Sequence, residues 1–221
     1  MTIERRVVVV SGGVDSVVLL HQQVASVGPG DVVALTFDYG QRHNKEVAFA
    51  RAAAERLGCE HLVVDLPSLR TSASALTSHD IDVPDGHYKD LTMRATVVPG
   101  RNMLFLAVAI SIAQQRKIEK VYYGAHGGDH AIYPDCRPEF LSAMAAVALL
   151  SDYHQVVLLA PFMPYDKAAI VEAGAELGVD FSLTWSCYKG GERHCGTCGT
   201  CVERREAFEL TGIYDPTEYE A

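Results

Sequence analysis

Val7-Val8-Val9-Val10-Ser11-Gly12-Gly13-Val14-Asp15-Ser16 reads as a buried strand, a tight glycine turn and the start of a helix. Glycines let backbone N–H groups approach an anion with no Cβ in the way, and a helix N-terminus adds favourable partial charge. Ser11 and Ser16 add hydroxyl donors beside those amides. Asp15 is the odd member, because an acid near phosphates makes sense through Mg²⁺ or as a helix cap. No Gly-Lys-[Ser/Thr] follows, so the turn is not a Walker A loop, and it lacks the G-x-G-x-x-G spacing of dinucleotide sites.

Outward from this turn, apolar runs alternate with amphipathic segments. Strands are expected at 6–10, 32–37, 61–65, 120–124 and 155–159, and helices at 16–27, 45–57, 102–117 and 138–150. A further helix runs to Leu177 from Asp166, an N-cap residue, with Gly178 as its C′ residue. This alternation implies βαβ crossovers and an α/β fold, a doubly wound and mostly parallel sheet covered on both faces. Two stretches break the rhythm. Residues 67–100 are rich in Ser, Thr, Asp, Gly and Pro, the profile of a lid or substrate loop, and residues 183–203 hold most of the cysteines. The expected division is therefore an α/β domain over 1–182, then a metal-binding segment with a C-terminal helix over 183–221.

The 221 residues carry 19 basic and 28 acidic side chains, a net charge of −9, which argues against a phosphate-tracking surface for nucleic acid. The longest apolar run, residues 103–113, is too short to cross a bilayer. No secretory hydrophobic region follows Arg5 and Arg6, so a cytoplasmic protein with no membrane partner is expected, its cysteines thiols or metal ligands.

Four of six cysteines fall in the pattern Cys187-x₇-Cys195-x₂-Cys198-x₂-Cys201, with Gly196 and Gly199 permitting tight turns. Four thiolates around one ion describe a closed structural Zn²⁺ site, whose binding energy is largely folding energy. An iron–sulfur cluster, a redox pair and replacement of one sulfur by His194 are the alternatives. Arg193, Arg204 and Arg205 are expected to offset the thiolate charge. Cys59 reads as a structural thiol, and Cys136 stands in a segment of its own interest.

The pattern S-G-G-x-D-S after a four-valine strand resembles the pyrophosphate loop of the N-type ATP pyrophosphatases. Three more segments sharpen the resemblance. They are Phe37-Asp38-Tyr39-Gly40-Gln41-Arg42-His43, Val98-Pro99-Gly100-Arg101-Asn102 and Tyr133-Pro134-Asp135-Cys136-Arg137-Pro138-Glu139-Phe140. With the loop and the cysteines they are similar to the 7-cyano-7-deazaguanine synthases of the queuosine pathway, from Val7 to about Phe208.

That resemblance implies a carbon–nitrogen ligase that uses ATP with Mg²⁺, 7-carboxy-7-deazaguanine and ammonia, holds one Zn²⁺ per chain and works as a homodimer. It implies ATP contacts from Val10, Ser11, Gly12, Gly13, Val14, Asp15, Ser16 and Asp38. Catalytic roles are expected for Ser11, Asp15, Ser16, Arg101 and Lys167. Substrate contacts are expected from Tyr39, Gln41, Arg42, Arg101, Asn102, Tyr133, Asp135, Arg137, Glu139 and Phe140. The three arginines suit phosphate or carboxylate, and Tyr39, Tyr133 or Phe140 suit stacking on the heterocycle. Asp129, Asp135 or Glu139 suit its N–H edge. Duller alternatives stand beside these: Arg101-Asn102 as a plain helix start, Pro134-Asp135 as a turn, Lys167 as a solvated cation. His43, His126 and His130 read as positioning or surface residues.

Three rivals remain on the sequence alone. One is an RNA-thiolating enzyme of the same loop class, against which the acidic balance counts. Another is a sibling that stops at the amide or passes the activated acid to another amine. The third is a non-catalytic, nucleotide-sensing zinc module. No glutaminase-like segment is left over, so free ammonium is the expected nitrogen donor.

Overall fold

The computed structural model describes residues 4–220 except 68, 70–73, 89 and 90. Five strands, β1 (Arg6–Val9), β2 (Val32–Asp38), β3 (Glu60–Asp65), β4 (Lys120–Tyr122) and β5 (Val157–Leu159), form one all-parallel sheet in the order β3-β2-β1-β4-β5. The central strand is the four-valine run. Arg6 pairs with Val32 on one side and Lys120 on the other.

Pleating sorts its side chains between two cores. Val7 and Val9 face a core shared with α3 (Arg101–Arg116) and α4 (Pro138–Leu150), through Leu106, Ile110, Met144 and Ala148. Val8 and Val10 face the other core, shared with α1 (Val14–Val27), α2 (Lys45–Leu57), α5 (Lys167–Glu176) and α6 (Gly199–Thr211), through Val18, Ala50, Ile170 and Phe208. Burial on both faces is why β1 and β2 read as continuous apolar runs rather than alternating ones.

The expected elements are present, with shifted ends. The loop helix starts at Val14 rather than Ser16, and the strand before it stops at Val9 although the Val10 amide still donates to Leu35 O at 2.8 Å. Lys117 is the left-handed C-cap of α3 (φ 55) rather than its last helical residue. The Asp166 carboxylate accepts from the Ala169 amide at 2.9 Å, and Gly178 adopts the positive φ of a C′ residue.

The described residues of the aperiodic stretch 67–100 pack on the domain. Leu76, Tyr88, Met93 and Val98 are buried in the α3 core, and 91–96 form a short 3₁₀ helix. Residues 68, 70–73, 89 and 90 of that stretch lie outside the described set. Asp85 bridges to Cys198 and the Gly86 amide donates to Thr197 O, tying the stretch to the cysteine segment.

Candidate active site

In open parallel sheets ligands bind beyond the carboxyl ends of the strands, where successive connections leave in opposite directions. Here β2 and β4 flank β1, and the residues after all three open onto one cleft of about 1260 Å³, mouth included.

The loop after β1 forms the inner wall. Ser16 Oγ donates to Gly13 O at 3.1 Å and accepts from the Ser11 amide at 3.1 Å, while the two serine hydroxyls share a hydrogen bond at 3.1 Å. Gly13 is the N-cap of α1 and no side chain caps the helix. The positive end of α1 therefore faces the cleft without a side-chain acceptor, as an anion site needs. Gly12 (φ +88) turns the chain against α2, where a Cβ would come within 2.4 Å of Glu46 O.

Charged groups meet at the floor. Lys167 Nζ donates to both carboxylate oxygens of Asp15, at 2.8 and 2.7 Å, and lies 3.3 Å from Glu203 Oε2. Burial works against both charges of the inner pair. Lys167 holds the Asp15 carboxyl below its usual range all the same, and Asp15 with Glu203 raises the Lys167 ammonium above its own. Burial pushes Glu203 up. His126, fully buried, accepts at Nδ1 from the Gly128 amide at 3.1 Å. That bond leaves its Nε2, which has no hydrogen bond, 3.7 Å from Asp15 and 3.5 Å from Asp129. Asp129 accepts from Tyr88 Oη at 2.8 Å.

The outer wall is aromatic. Phe105 stacks on Phe37 at 4.2 Å, with Tyr39 edge-on at 5.4 Å. Burial opposes the Arg101 charge, yet its pKa is raised, and the guanidinium stands charged among Tyr39, Tyr188, Tyr133 and Asp135. Tyr133 bonds Thr96 Oγ1 at 2.7 Å, and burial raises both Tyr133 and Tyr188, leaving neutral phenols. Glu46, in the first turn of α2, lines the same wall. Burial, opposed by Arg101, brings its carboxyl to about 7.

Of the residues singled out in the sequence, Val10, Ser11, Gly13, Val14, Asp15, Ser16, Tyr39, Gln41, Arg101, Asn102, Tyr133 and Lys167 line this cleft. Lys167 is not a solvated cation. Gly12 lies behind the loop, and Asp38 turns to accept from the Gly40 amide at 3.0 Å. Arg42 borders an adjoining recess and donates to Ile81 O. Asp135 accepts from the Asn102 amide at 3.2 Å and so acts on the start of α3. Arg137 is exposed and donates to His130 O, Glu139 is exposed, and Phe140 packs on the α3 core; the cleft walls do not include these three. Tyr88, Trp185, Tyr188, Glu203 and Glu46 were not singled out for it, yet they line it.

The four cysteines converge as expected. Sγ atoms of Cys187, Cys195, Cys198 and Cys201 all lie within 4.8 Å of one another. The Cys195 amide donates to Cys187 Sγ at 3.4 Å and the Cys198 amide to Cys195 Sγ at 3.3 Å, so backbone donors point at two of the sulfurs. His194 is not among these ligands: its Nε2 accepts from the Ser186 amide at 3.0 Å and its ring lies 4.2 Å from Trp185. The arginines expected to offset the thiolates have other partners. Arg204 binds Asp215, Arg193 pairs with Glu218, and Arg205 lies over the Tyr219 ring. Burial alone raises the Cys59 thiol to about 11. Cys136 is buried on the cleft wall, its sulfur accepting from Asn102 Nδ2, and its thiol is raised by burial.

A doubly wound parallel sheet with a serine–glycine anion loop at its switch point, backed by a four-thiol cluster, defines an α/β protein of the pyrophosphatase-loop class. The family described as "Queuosine biosynthesis protein QueC" matches residues 5–212, and the chain belongs to that enzyme family. The 7-cyano-7-deazaguanine synthase of Rhizobium meliloti (strain 1021) is 53% identical over 98% of this chain and 92% of its own length. That of Brucella ovis is 52% identical over 98% of this chain and 94% of its own length. Among solved structures, the U34-tRNA thiolase NcsA from Methanococcus maripaludis, with its [4Fe-4S] cluster, is similar with a TM-score of 0.51 at 12% identity. It covers 96% of this chain and 72% of that one, a likeness of fold alone. Among the described residues no helix is long and apolar enough to cross a membrane.

Proposed function

We propose that the chain converts 7-carboxy-7-deazaguanine and ammonia to 7-cyano-7-deazaguanine at the expense of ATP. The carboxylate attacks the α-phosphorus and pyrophosphate leaves; ammonia then displaces AMP to give the amide. The amide oxygen attacks a second ATP, again releasing pyrophosphate, and loss of a proton and AMP leaves the nitrile. Adenylation is needed because a carboxylate would otherwise have to expel oxide.

One observation carries this reading: the uncapped N-terminus of α1, with Ser11 and Ser16, shares a single cleft with Lys167 and Arg101. The amides and hydroxyls hold the triphosphate, and Lys167 faces the charge that builds on departing pyrophosphate. Arg101 orients the acid. Mg²⁺ bound to the triphosphate would supply charge neutralisation there. The cysteines would hold Zn²⁺, which supplies folding energy to the segment that brings Trp185, Tyr188 and Glu203 to the cleft.

Mass spectrometry of a reaction containing ATP, Mg²⁺, ammonium and the acid is expected to show the nitrile. An accumulating amide would favour a sibling activity, and absence of pyrophosphate release would favour a nucleotide sensor. Turnover supported by glutamine alone would overturn the ammonia assignment. Metal analysis is expected to return one zinc per chain, and iron with a visible charge-transfer band would overturn that. Sedimentation is expected to return a homodimer.

A further inference from the structure

Four carboxylates line the cleft: Asp15, Glu46, Asp129 and Glu203. Three of them have partners. Asp15 and Glu203 face Lys167, and Asp129 accepts from Tyr88. Glu46 is different. Its carboxyl has neither a hydrogen bond nor an ion pair within 4 Å among the described residues, although Arg101 stands on the same wall. An acid in the first turn of a helix gains from the dipole when it points to water. Glu46 instead lines the aromatic outer wall, half-buried, where an unpartnered carboxylate gives up part of its hydration until a donor arrives.

The neighbours of Glu46 narrow what that donor is. The Phe37–Phe105 stack and Tyr39 give a flat apolar wall fit for a heterocycle, and Arg101 supplies a cation for an acceptor on the same molecule. A carboxylate offers two acceptor oxygens and no donor. Its match on a flat ring is a pair of adjacent N–H groups, such as a ring N–H beside an exocyclic amine. Guanine-type bases present that pair at N1 and the 2-amino group. Adenine and hypoxanthine do not. Asp135 and Glu139, considered for this edge from the sequence, are engaged by the Asn102 amide and exposed outside the cleft respectively.

We propose that Glu46 is the specificity residue for the base: its carboxylate accepts from N1–H and the 2-amino group of a guanine-type heterocycle lying along the Phe105 wall. This rests on the synthase reading above, because it takes the nucleobase acid as the second ligand of the cleft.

Calorimetric titration of the full chain tests it with three ligands: 7-carboxy-7-deazaguanine, its analogue lacking the 2-amino group, and ATP. The wild type is expected to prefer the guanine-type acid by about 100-fold. Glu46→Gln is expected to bind the two acids alike, with affinity for the guanine-type acid about 10- to 150-fold lower and ATP affinity unchanged. Should Glu46→Gln fail to fold, Glu46→Asp, which keeps the charge but draws it back by one methylene, is expected to weaken the acid and not ATP. A Glu46→Gln protein that keeps the wild-type preference, or that loses ATP affinity instead, overturns the assignment and leaves the synthase reading standing. A wild type that turns over and binds both acids equally does the same. A wild type that neither binds nor activates the guanine-type acid removes the synthase reading, and Glu46's role with it.

Discussion

Asp15, in the first turn of α1, and Lys167, at the start of α5, are 152 residues apart in sequence, yet both oxygens of one carboxylate meet the ammonium of the other at 2.8 and 2.7 Å. The pair fixes the orientation of two helix N-termini across the cleft. It also leaves Lys167 charged beside the anion loop.

Lys167→Met removes that cation and leaves Asp15 and Glu203 facing each other without compensation. Both side chains of the inner pair are under a third exposed, so the loss is expected to cost about 1–3 kcal/mol in urea unfolding, less than a fully buried pair. Pyrophosphate release is expected to fall about 100-fold or more, measured as kcat/KM for ATP. Asp15 is held below its ordinary pKa and Lys167 above its own, so the pair contributes fully from above about pH 4 to below about pH 10. Its contribution fades as pH falls through the lowered Asp15 value or rises through the raised Lys167 value. Undiminished pyrophosphate release in the variant would remove Lys167 from the chemistry.

Gly12→Ala tests the loop geometry. At φ +88 a side chain is strained whatever the space, and the new Cβ would sit 2.4 Å from Glu46 O and 2.9 Å from the Ala50 amide nitrogen, both backbone atoms. The loop must shift off α2. A loss of about 2 kcal/mol or more and of measurable ATP binding is expected. Calorimetry with ATP checks it, and wild-type affinity would show that the loop tolerates displacement.

The strands and most helices were legible because each carries its own period: β1 and β2 are buried on both faces, and α5 is bounded by Asp166 and Gly178. The turn after β1 was legible because glycine geometry and hydroxyl donors are local. What the sequence hid is what non-local packing creates. Arg137 and Glu139 lie within a motif segment, but the 3₁₀ turn before α4 carries them out to solvent. Glu203 reaches the cleft only because α6 packs on α5, and Tyr88 only because an aperiodic stretch is buried under α3. Glu46 had a weak signal, its place one turn beyond a strand-end motif, and nothing local showed that it faces inward.

If the four cysteines hold a metal, as proposed, its removal should loosen one end of the cleft rather than the sheet. The four sulfurs lie in a small cluster with Trp185 and Val83, and Cys198 bridges to Asp85. Chelation, or Cys201→Ser, is expected to lower the thermal midpoint and raise hydrogen exchange in 183–203 and 83–88 while β1 and β2 stay protected. Uniform loss of protection across the sheet would show that the cluster and the domain fold as one unit.

Arg204 ties α6 down from inside. Its guanidinium donates to Asp215, Thr184 Oγ1 and Phe181 O, with 2% of the side chain exposed and 13% for Asp215. Burial works to raise the Asp215 pKa, but hydrogen bonds and charge from Arg204 outweigh it and hold the carboxyl below its ordinary value. The stabilisation is therefore complete above the unfolded value of about 3.9 and is lost as pH falls through the lowered folded value. Arg204→Met leaves the half-buried Asp215 carboxylate without its cation, holding only Tyr219 Oη and the Thr217 amide, and is expected to cost about 1–3 kcal/mol at pH 7. At pH 3 the gap between the two proteins should narrow. There the variant's carboxyl, held down only by Tyr219 and Thr217, takes up its proton more readily than the wild-type one, while the wild-type pair is weakening. Urea unfolding at both values measures the gap, and an equal difference at each would mean that Arg204 acts through its packing on Phe208 and its bonds to Thr184 and Phe181 rather than through Asp215.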